Sequence, residues 1–358
     1  MTKCLLVMAG GTGGHVFPGI AVADLLHAQG WSIHWLGTAK RMEADIVPKA
    51  GYPISFIDVA GLRGNGVVGW LTAPFKLLRA VFQALSVIRK VNPDVVLGMG
   101  GFASGPGGVA AWLKRIPLVL HEQNAVAGFT NKLLAPLASR ILTGFEGTFK
   151  PQQKVSWVGN PLRASIGQTA PVERADARCN ILVVGGSLGA QALNQAMPVA
   201  LQDLPHCAIR HQCGAQRQQQ VEALYRQVGI ERNVQVDEFI DDMASAYQWA
   251  DLIICRAGAL TVSEIAMAGK AAIFVPLPHA VDDHQTQNAM TLVNAGAALL
   301  VKQGDDLAAK VSACLRELSS NQAKLAQMGK AALTVAKPDA TRVVANICNE
   351  LAGAIKIT

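Results

Sequence analysis

The first residues suited to chemistry stand in a glycine-rich turn at positions 10 to 15, with the sequence GGTGGH. Its glycines allow the close backbone approach that a phosphate requires, and the helix expected from about Val16 to Gln29 offers N–H groups and the positive end of its dipole. His15 follows the turn, where a neutral imidazole is suited to accept a proton. The turn predicts a phosphate site with His15 as candidate general base, against the alternative of a histidine that merely adjoins the helix cap.

A second candidate site lies in residues 255 to 289. The apolar run that ends at Cys255 is typical of a strand buried on both faces, and residues 256 to 258 then turn the chain into a helix with amide groups at its start. Glu264 lies one turn into that helix, and Gln285 follows the next strand. Both side chains are expected where neighbouring parallel strands end, which is the ligand-binding edge of open α/β sheets.

A purely structural role would explain the same residues. Thr261-x-x-Glu264 fits a capping box, in which the carboxylate only satisfies a backbone donor at the helix start. Asp282-x-x-Gln285 fits the same pattern before the next helix. The spacing alone leaves both interpretations open.

Two further strand ends carry glycine-rich or polar segments. Residues 98 to 108, GMGGFASGPGG, repeat the pattern of strand, glycine turn and helix, and residues 121 to 124, HEQN, put four polar side chains at the end of the following strand. The first segment loosely matches a dinucleotide fingerprint, with Glu122 as the acid that would bind ribose. We disfavour a dehydrogenase on this basis, because such a fingerprint normally lies in the first βαβ unit of its domain.

Parallel sheets are needed to position these segments. Apolar strands alternate with helical patterns, and residues 180 to 194 restate the opening strand, glycine turn and helix. Further strands are expected near 207–211, 234–237, 251–254, 272–275 and 297–301. The predicted fold class is α/β, with two Rossmann-like doubly wound domains at 1–160 and 161–338 and a last helix within 339–358 that packs back on the first domain.

The composition limits the class of protein. The 358 residues are 51% hydrophobic, which supplies two cores, and no apolar run reaches the roughly 18 residues of a membrane span. The start MTKCLLVM leaves no room for a signal peptide, and the seven cysteines, without a CxxC pair, are typical of reduced thiols. We therefore expect a cytoplasmic protein without disulfides or a metal site.

The net charge of +7 is concentrated in the first half of the chain. Residues 1 to 160 hold 15 Lys and Arg against 7 Asp and Glu, a net of +8, whereas residues 161 to 358 hold 17 against 18, a net of −1. The low aromatic content and the lack of a basic repeat make nucleic acid the least favoured partner. An anionic substrate or an anionic membrane surface fits the first half better.

A long helix expected from about Trp70 to Val91 has only a narrow polar stripe, so it offers more apolar surface than one sheet contact covers. Aromatic and basic residues recur at 112 to 115. We expect a membrane-docking patch here, with ordinary burial as the alternative. The patch would comprise Phe75, Lys76, Leu78, Arg79, Phe82, Leu85, Trp112, Lys114 and Arg115.

Seven segments occur in the order GGTGGHVFPG, GMGGFASGPGG, HEQN, VGNPLR, VVGGSLGAQ, EFIDDM and RAGALTVSEI. Together they resemble the bacterial UDP-N-acetylglucosamine:lipid I N-acetylglucosaminyltransferases of the MurG family, which are GT-B glycosyltransferases with two α/β domains facing across a cleft. The resemblance implies an inverting transfer of GlcNAc from UDP-GlcNAc to the MurNAc 4-hydroxyl of lipid I, undecaprenyl-pyrophosphoryl-MurNAc-pentapeptide. The product would be lipid II, for peptidoglycan and so for cell shape and division. A UDP-GlcNAc 2-epimerase shares the fold and the donor and is the alternative.

The resemblance also implies roles for individual residues. UDP-GlcNAc would be bound by Thr12, Gly13, Gly14, Asn124, Arg163, Ser187, Ile240, Ala259, Leu260, Thr261, Val262, Ser263, Glu264 and Gln285. The acceptor pyrophosphate would be bound by Gly10, Gly11, Gly100, Gly101, Ser104 and Gly105, and His15 would be the base. No cofactor is implied, and we expect activity to survive EDTA because the chain lacks the Asp-x-Asp pattern of metal-dependent sites. The expected location is the cytoplasmic face of the inner membrane, with anionic lipid and other cell-wall synthesis proteins as partners.

Overall fold

The structure is a computed structural model that describes residues 2–59, 66–166, 178–186 and 189–354. The chain divides into two units. Unit 1 comprises Met1–Arg163 and Lys337–Thr358, and unit 2 comprises Ala164–Ala336. Each unit is an α/β domain built on one parallel β-sheet, so the predicted fold class is confirmed.

Unit 1 contains a seven-stranded parallel sheet in the order β3-β2-β1-β4-β5-β6-β7. Its strands are β1 (Cys4–Ala9), β2 (Ser32–Gly37), β3 (Ile54–Phe56), β4 (Val95–Gly100), β5 (Leu118–Glu122), β6 (Arg140–Thr143) and β7 (Val155–Trp157). The strand order reverses between β1 and β4, which pair directly with each other. The carboxyl ends of strands at such a reversal form the usual ligand crevice of a doubly wound sheet.

Helices cover both faces of this sheet. They are α1 (Gly13–Ala28), α2 (Glu43–Lys49), α3 (Gly66–Val91), α4 (Ser104–Leu113), α5 (Phe129–Leu134) and α13 (Ala340–Ala354). On one face of the sheet, α1 and α13 form a core cluster with Leu5, Val7 and Ala9 of β1. On the other face, α3 and α4 form a second cluster with Leu6 and Met8 of the same strand. The long helix α3 begins at Gly66, whereas the sequence predicted a start near Trp70. The last helix, α13, packs against α1.

Unit 2 repeats the design with a six-stranded parallel sheet in the order β10-β9-β8-β11-β12-β13. Its strands are β8 (Asn180–Val184), β9 (Ala208–Gln212), β10 (Val234–Asp237), β11 (Leu252–Cys255), β12 (Ala271–Phe274) and β13 (Ala298–Leu300). Its helices are α6 (Gln191–Leu201), α7 (Gln218–Gln227), α8 (Met243–Trp249), α9 (Ala259–Ala268), α10 (His284–Asn294), α11 (Leu307–Leu318) and α12 (Gln322–Val335). The order reverses between β8 and β11, so α9 follows a strand at the reversal.

A row of hydrogen-bonded polar side chains lies buried in the core of unit 2. His211 is fully buried, and its two ring nitrogens lie 2.9 Å from the Tyr225 hydroxyl and 3.1 Å from Asn194 Oδ1. Since Asn194 Nδ2 donates to the Cys213 carbonyl, its Oδ1 accepts from His211 Nε2, and Nδ1 accepts from Tyr225. Burial lowers the pKa of His211 to about 3, so the ring is neutral.

Within the part of the chain that the structure describes, no helix has both the length and the hydropathy needed to span a bilayer.

Candidate active site

The first glycine loop, residues 10–14, leads from β1 into α1. Gly11 has φ +90°, and Thr12 takes the N-cap position in an extended conformation. The first helical hydrogen bonds run from the amides of His15 and Val16 to the Thr12 carbonyl, at 3.1 and 3.2 Å. The amides of Gly13 and Gly14 precede these bonds at the helix N-terminus, where an anion is favoured.

His15 lies inside α1 rather than before it, so the prediction that the helix begins at Val16 was wrong. Its Nδ1 is 3.0 Å from the Gly10 carbonyl oxygen. Because a carbonyl can only accept, Nδ1 carries the proton and Nε2 keeps its lone pair. A Cβ built on Gly100 would lie 3.1 Å from Nε2, so this atom faces the second glycine loop. The half-buried ring is therefore fixed in the tautomer that a base acting through Nε2 requires.

Glu43, which the sequence did not indicate as a site residue, is hydrogen-bonded to the first glycine loop. This carboxylate is buried, and its Oε2 accepts from the Gly11 amide at 2.9 Å. Its Oε1 accepts from the amide and hydroxyl of Thr38 at 3.0 and 2.7 Å. The Gly11 amide, expected to bind the acceptor pyrophosphate, is thus used inside the protein. No spacing rule in the sequence pairs an acid at position 43 with a glycine at position 11.

The second glycine loop, residues 100–105, joins β4 to α4 and interlocks with the first. Gly101 has φ +90°, and a Cβ on it would lie 2.5 Å from the Gly10 carbonyl oxygen, so only glycine fits there. Ser104 was expected to contact pyrophosphate, but its hydroxyl is fully buried within 3.0 Å of the Met8 carbonyl and 2.8 Å of the Gly100 carbonyl. Backbone amides at the start of α4, including that of Gly105, are the groups left to meet an anion, because the first α4 bond is from Gly107.

The HEQN segment is mostly structural. His121, Glu122 and Gln123 are buried, and only Asn124 is partly exposed, so the expectation of four polar side chains in the crevice was wrong. The Glu122 carboxylate accepts from the amide and side chain of Asn124 at 3.1 and 3.3 Å and from the Gly128 amide at 2.9 Å. A buried carboxylate held in this way cannot serve as the ribose acid of a dinucleotide site. Burial also lowers the pKa of His121 to about 4.

Arg163 belongs to unit 1, although the sequence analysis put it in the second domain. Its guanidinium carbon lies 5.6 Å from the centre of the Phe17 ring, a cation–π contact. Phe17 in turn lies against Gly13, since a Cβ there would be 2.9 Å from its ring. The structure thus brings Arg163 close to the first glycine loop.

The start of α9 is the corresponding candidate anion site of unit 2. Gly258 is the N-cap, and the first helical bond runs from the Val262 amide to the Gly258 carbonyl at 3.0 Å. The amides of Ala259, Leu260 and Thr261 precede that bond. The capping-box interpretation was wrong, because the cap residue is a glycine and Thr261 lies inside the helix. The side chain of Ala259 is buried, which leaves its amide to contact a ligand, whereas Val262 has a buried side chain and an amide already bonded to Gly258.

Glu264 points toward α8 instead of capping α9. Its Oε2 accepts from the hydroxyl of the buried Tyr247 at 2.9 Å. Burial raises the pKa of the Cys255 thiol, and the Glu264 charge adds to that effect. Ile240 is buried beside the start of α8, so only its backbone can meet a base, and Ser263 is half-buried. Ser187, which was also expected to bind UDP-GlcNAc, lies outside the described residues.

Gln285 closes the loop after β12. Its Oε1 accepts from the Leu277 amide at 2.9 Å, so it does not form a capping box with Asp282. The N-cap of α10 is Asp283, whose carboxylate accepts from the Thr286 hydroxyl at 2.7 Å. Asp282 and Asp283 both have positive φ, at 54° and 51°, which is a strained conformation for aspartate.

Arg256 was read only as part of the turn after β11, yet it links three strand ends. Its Nη1 donates to the carbonyls of Val275 and Pro276 at 2.9 and 3.1 Å, and its Nη2 donates to Gln303 Oε1 at 2.7 Å. Burial lowers its pKa from the ordinary value. The pattern "strand, Arg, glycine, helix" suggests a phosphate ligand, whereas this guanidinium is used to position the loop that Gln285 also holds.

The apolar and basic face of unit 1 is exposed on α3 and α4. Phe75 is 76% exposed, Phe82 63% and Trp112 52%. The remaining expected patch residues that are exposed are Lys76, Leu78, Arg79, Lys114 and Arg115. Leu85 was wrongly included, because it is partly buried against the core under α3. α5 packs beside α4 and adds Phe129 and Leu133, at 64% and 61% exposure.

Comparison with known proteins agrees with this architecture. The N-terminal domain model of glycosyltransferase family 28 matches residues 5–143, and its C-terminal domain model matches residues 180–344. The crystal structure of MurG from Acinetobacter baumannii superimposes with a TM-score of 0.85 and 46% identity, covering 97% of this chain and 99% of that one. A UDP-N-acetylglucosamine 2-epimerase-like structure from Listeria monocytogenes, at 14% identity and a TM-score of 0.66, shares the fold alone.

Two curated relatives extend over nearly the whole chain, and both are named UDP-N-acetylglucosamine–N-acetylmuramyl-(pentapeptide) pyrophosphoryl-undecaprenol N-acetylglucosamine transferase. The protein from Aeromonas hydrophila is 57% identical over 98% of both chains. The one from Pseudoalteromonas atlantica is 55% identical over 98% of this chain and 96% of its own. Interlocked glycine loops beside an oriented histidine, a second helix-start site in unit 2 and full-length similarity lead to one conclusion: this chain belongs to glycosyltransferase family 28 and, within it, to the MurG family.

Proposed function

We propose that this protein transfers GlcNAc from UDP-GlcNAc to the MurNAc 4-hydroxyl of lipid I with inversion, forming lipid II for peptidoglycan. The observation that carries the proposal is identity of 55 and 57% over nearly the whole chain with two relatives named for this transfer. The geometry of the two units then suggests what each group contributes.

His15 is the proposed base for the acceptor hydroxyl. Its Nδ1–H is held by the Gly10 carbonyl, so Nε2 is the atom that takes the proton of the 4-hydroxyl as that oxygen attacks the sugar. The imidazolium that forms keeps the same hydrogen bond and therefore needs no reorientation. The N-terminal amides of α1 and α4 are the proposed ligands of the acceptor diphosphate.

The start of α9 is the proposed donor site in unit 2. Its first amides would bind the donor diphosphate, while Glu264, held by Tyr247, would accept from the ribose hydroxyls. Gln285 and Asn124 would contact the sugar, and the backbone of Ile240 would contact uracil. As UDP leaves, negative charge grows on its diphosphate, and the positive helix end together with Arg163 would stabilise that charge. We propose on these grounds that the transfer requires no metal ion.

The exposed face on α3, α4 and α5 is the proposed membrane surface. Phe75, Phe82, Trp112 and Phe129 would enter the interface while the neighbouring Lys and Arg side chains contact anionic headgroups. A peripheral position at the cytoplasmic face of the inner membrane would let unit 1 reach an acceptor whose lipid tail stays in the bilayer.

Transfer of labelled GlcNAc to a short-chain lipid I analogue, in EDTA, tests the proposal. We expect acceptor-dependent labelled product and one equivalent of UDP. Conversion of UDP-GlcNAc to UDP-ManNAc without acceptor and without net release of UDP would establish the non-hydrolysing epimerase alternative instead. UDP binding without either product would show that the acceptor is wrongly assigned.

A further inference from the structure

The two glycine loops of unit 1 lack positive side chains. Residues 10–14 and 100–105 contain neither Lys nor Arg, although the proposed acceptor presents a diphosphate to them. The buried carboxylate of Glu43 adds a negative charge directly behind the first loop, 2.9 Å from the Gly11 amide. Amides at helix starts attract an anion, but an adjacent buried carboxylate opposes that attraction. Cations close to the loops are therefore needed to make the site favourable for a diphosphate, and Arg163 approaches the first loop through the Phe17 ring.

The turn between β2 and α2 contacts both loops and brings a further cation to the second one. Met42 lies against the first loop, because a Cβ built on Gly13 would be 3.6 Å from its sulfur. Arg41 lies against the second loop, with its guanidinium carbon 5.5 Å from the centre of the Phe102 ring. The turn thus contacts each loop through one of two consecutive residues.

The same turn is held rigidly. Glu43, the first residue of α2, accepts hydrogen bonds from both the amide and the hydroxyl of Thr38, so it ties the two ends of the turn together. Its third bond fixes the turn to Gly11. Arg41 therefore lies on a turn whose two ends are hydrogen-bonded to each other through Glu43, which also bonds to the first glycine loop. A positioned guanidinium loses less entropy on binding an anion than one on a flexible segment.

Arg41 is exposed, and its guanidinium lies over the Phe102 ring. An arginine held over an aromatic ring keeps planar N–H groups for bidentate binding of phosphate oxygens. Lys40, the preceding residue, is also exposed and carries the same charge, so it is a matched control for Arg41.

We propose that Arg41 binds the diphosphate of the acceptor, together with the N-terminal amides of α1 and α4. This inference rests on the proposed function and adds to it a side-chain cation at the second glycine loop. Arg41 would offset the charge of Glu43, and the Phe102 ring would hold the guanidinium over the second loop.

Steady-state kinetics of Arg41→Ala, Arg41→Lys and Lys40→Ala with UDP-GlcNAc and a short-chain lipid I analogue test this role. One charge-assisted, bidentate contact is typically strong enough that Arg41→Ala should lower kcat/KM for the acceptor by roughly 10-fold to 100-fold. The KM for UDP-GlcNAc should stay unchanged. Arg41→Lys should fall between the two, because it keeps the charge and loses the fork, and Lys40→Ala should match the parent protein. Equal acceptor kcat/KM in Arg41→Ala and Lys40→Ala would overturn the proposal.

A binding measurement separates this inference from the reaction itself. Calorimetric titration with a short-chain prenyl diphosphate should show binding to the parent protein and to Lys40→Ala, and much weaker binding to Arg41→Ala. If the parent protein transfers no GlcNAc but this difference remains, the proposed function fails and the Arg41 site stands. If the parent protein does not bind the diphosphate, or Arg41→Ala binds it equally well, the Arg41 site fails whatever the kinetics of transfer.

Discussion

His15 is held by one hydrogen bond, from Nδ1 to the Gly10 carbonyl, and this bond determines which nitrogen can act. His15→Ala removes the proposed base and leaves the loop backbone in place. Loss of a general base typically costs about 10²-fold to 10⁴-fold in rate, so we expect kcat for transfer to fall by that amount. Binding of UDP, measured by calorimetry, should be unchanged. A variant with undiminished kcat would remove His15 from the mechanism.

Tyr247 has a specific role in holding Glu264, and a matched residue exists for comparison. Tyr247→Phe deletes the hydroxyl that donates to Glu264 Oε2, so we expect a several-fold higher KM for UDP-GlcNAc and a loss of about 0.5–1.5 kcal/mol in unfolding free energy. Tyr225→Phe deletes another buried hydroxyl of unit 2, the one bonded to His211. It should lose comparable stability without a change in KM. Equal KM values in the two variants would count against a role for Tyr247 in donor binding.

At the residue scale, the sequence predicted a histidine beside the first glycine loop and a helix start after Gly258, which the structure contains, but overestimated polar residues at strand ends. Ser104 and Glu122 stand where a ligand contact is usual, yet both turn inward to satisfy backbone groups. Glu43 and Arg256 were missed because they bond to groups outside their own elements, such as the Gly11 amide, the Val275 carbonyl and the Gln303 side chain. Spacing rules describe partners within one helix or strand, so these contacts have no local signal.

At the scale of elements, the interlock of the two glycine loops allows a sharp substitution test. Gly101→Ala combines a φ of +90° with a Cβ 2.5 Å from the Gly10 carbonyl oxygen. Gly51→Ala is the control, because Gly51 has φ +85° but no atom within 4 Å of its Cβ position. The control should lose about 1–2 kcal/mol through backbone strain alone. Gly101→Ala should lose more and also lose transfer activity while still binding UDP. Similar behaviour of the two variants would show that the loop contact is unimportant.

The face formed by α3, α4 and α5 carries the prediction for membrane binding. A double variant, Phe75→Glu with Phe82→Glu, should greatly reduce sedimentation with anionic vesicles at low salt, because it replaces inserted rings with repelled charges. Val199→Glu, at a side chain that is 48% exposed in unit 2, is the control and should bind like the parent protein. If the parent protein does not sediment with the vesicles, this surface has another purpose.

Elements were easier to predict from the sequence than their ends. The apolar runs predicted β8, β11, β12 and β13 to within about a residue, because a parallel sheet covered on both faces requires unbroken apolar strands. The strands β9 (AIRHQ) and β10 (VQVD) interrupt this pattern with polar residues. The start of α1 was misplaced because a glycine-rich segment was read as a turn throughout, whereas Thr12 caps a helix that begins at Gly13. Leu85 was assigned to the surface patch because periodicity alone does not tell how wide the buried stripe of α3 is.

At the scale of the whole molecule, each unit contains a fully buried neutral histidine, and this sets the response to acid. Burial lowers the pKa of His121 to about 4 and of His211 to about 3, whereas an unfolded chain binds protons near pH 6.5. Below that pH the unfolded state takes up more protons, so stability falls as the pH is lowered toward those values. Each histidine contributes a slope of up to about 1.4 kcal/mol per pH unit.

Urea unfolding at pH 7, 6 and 5 measures this effect. We expect the urea concentration at the unfolding midpoint to be lower at pH 5 than at pH 6. The decrease should be smaller in a His211→Gln variant that is stable enough to measure. A midpoint that does not change over this range would contradict the assignment of neutral, buried rings in the native state.

The contact between α1 and α13 has a consequence for synthesis on the ribosome. α13 follows the whole of unit 2 in the sequence, yet its Val344 and Cys348 complete the core cluster of unit 1. All residues of unit 2 therefore emerge before unit 1 can close over α1. The half of the protein that is translated first therefore acquires its full core only after the second half has been synthesised.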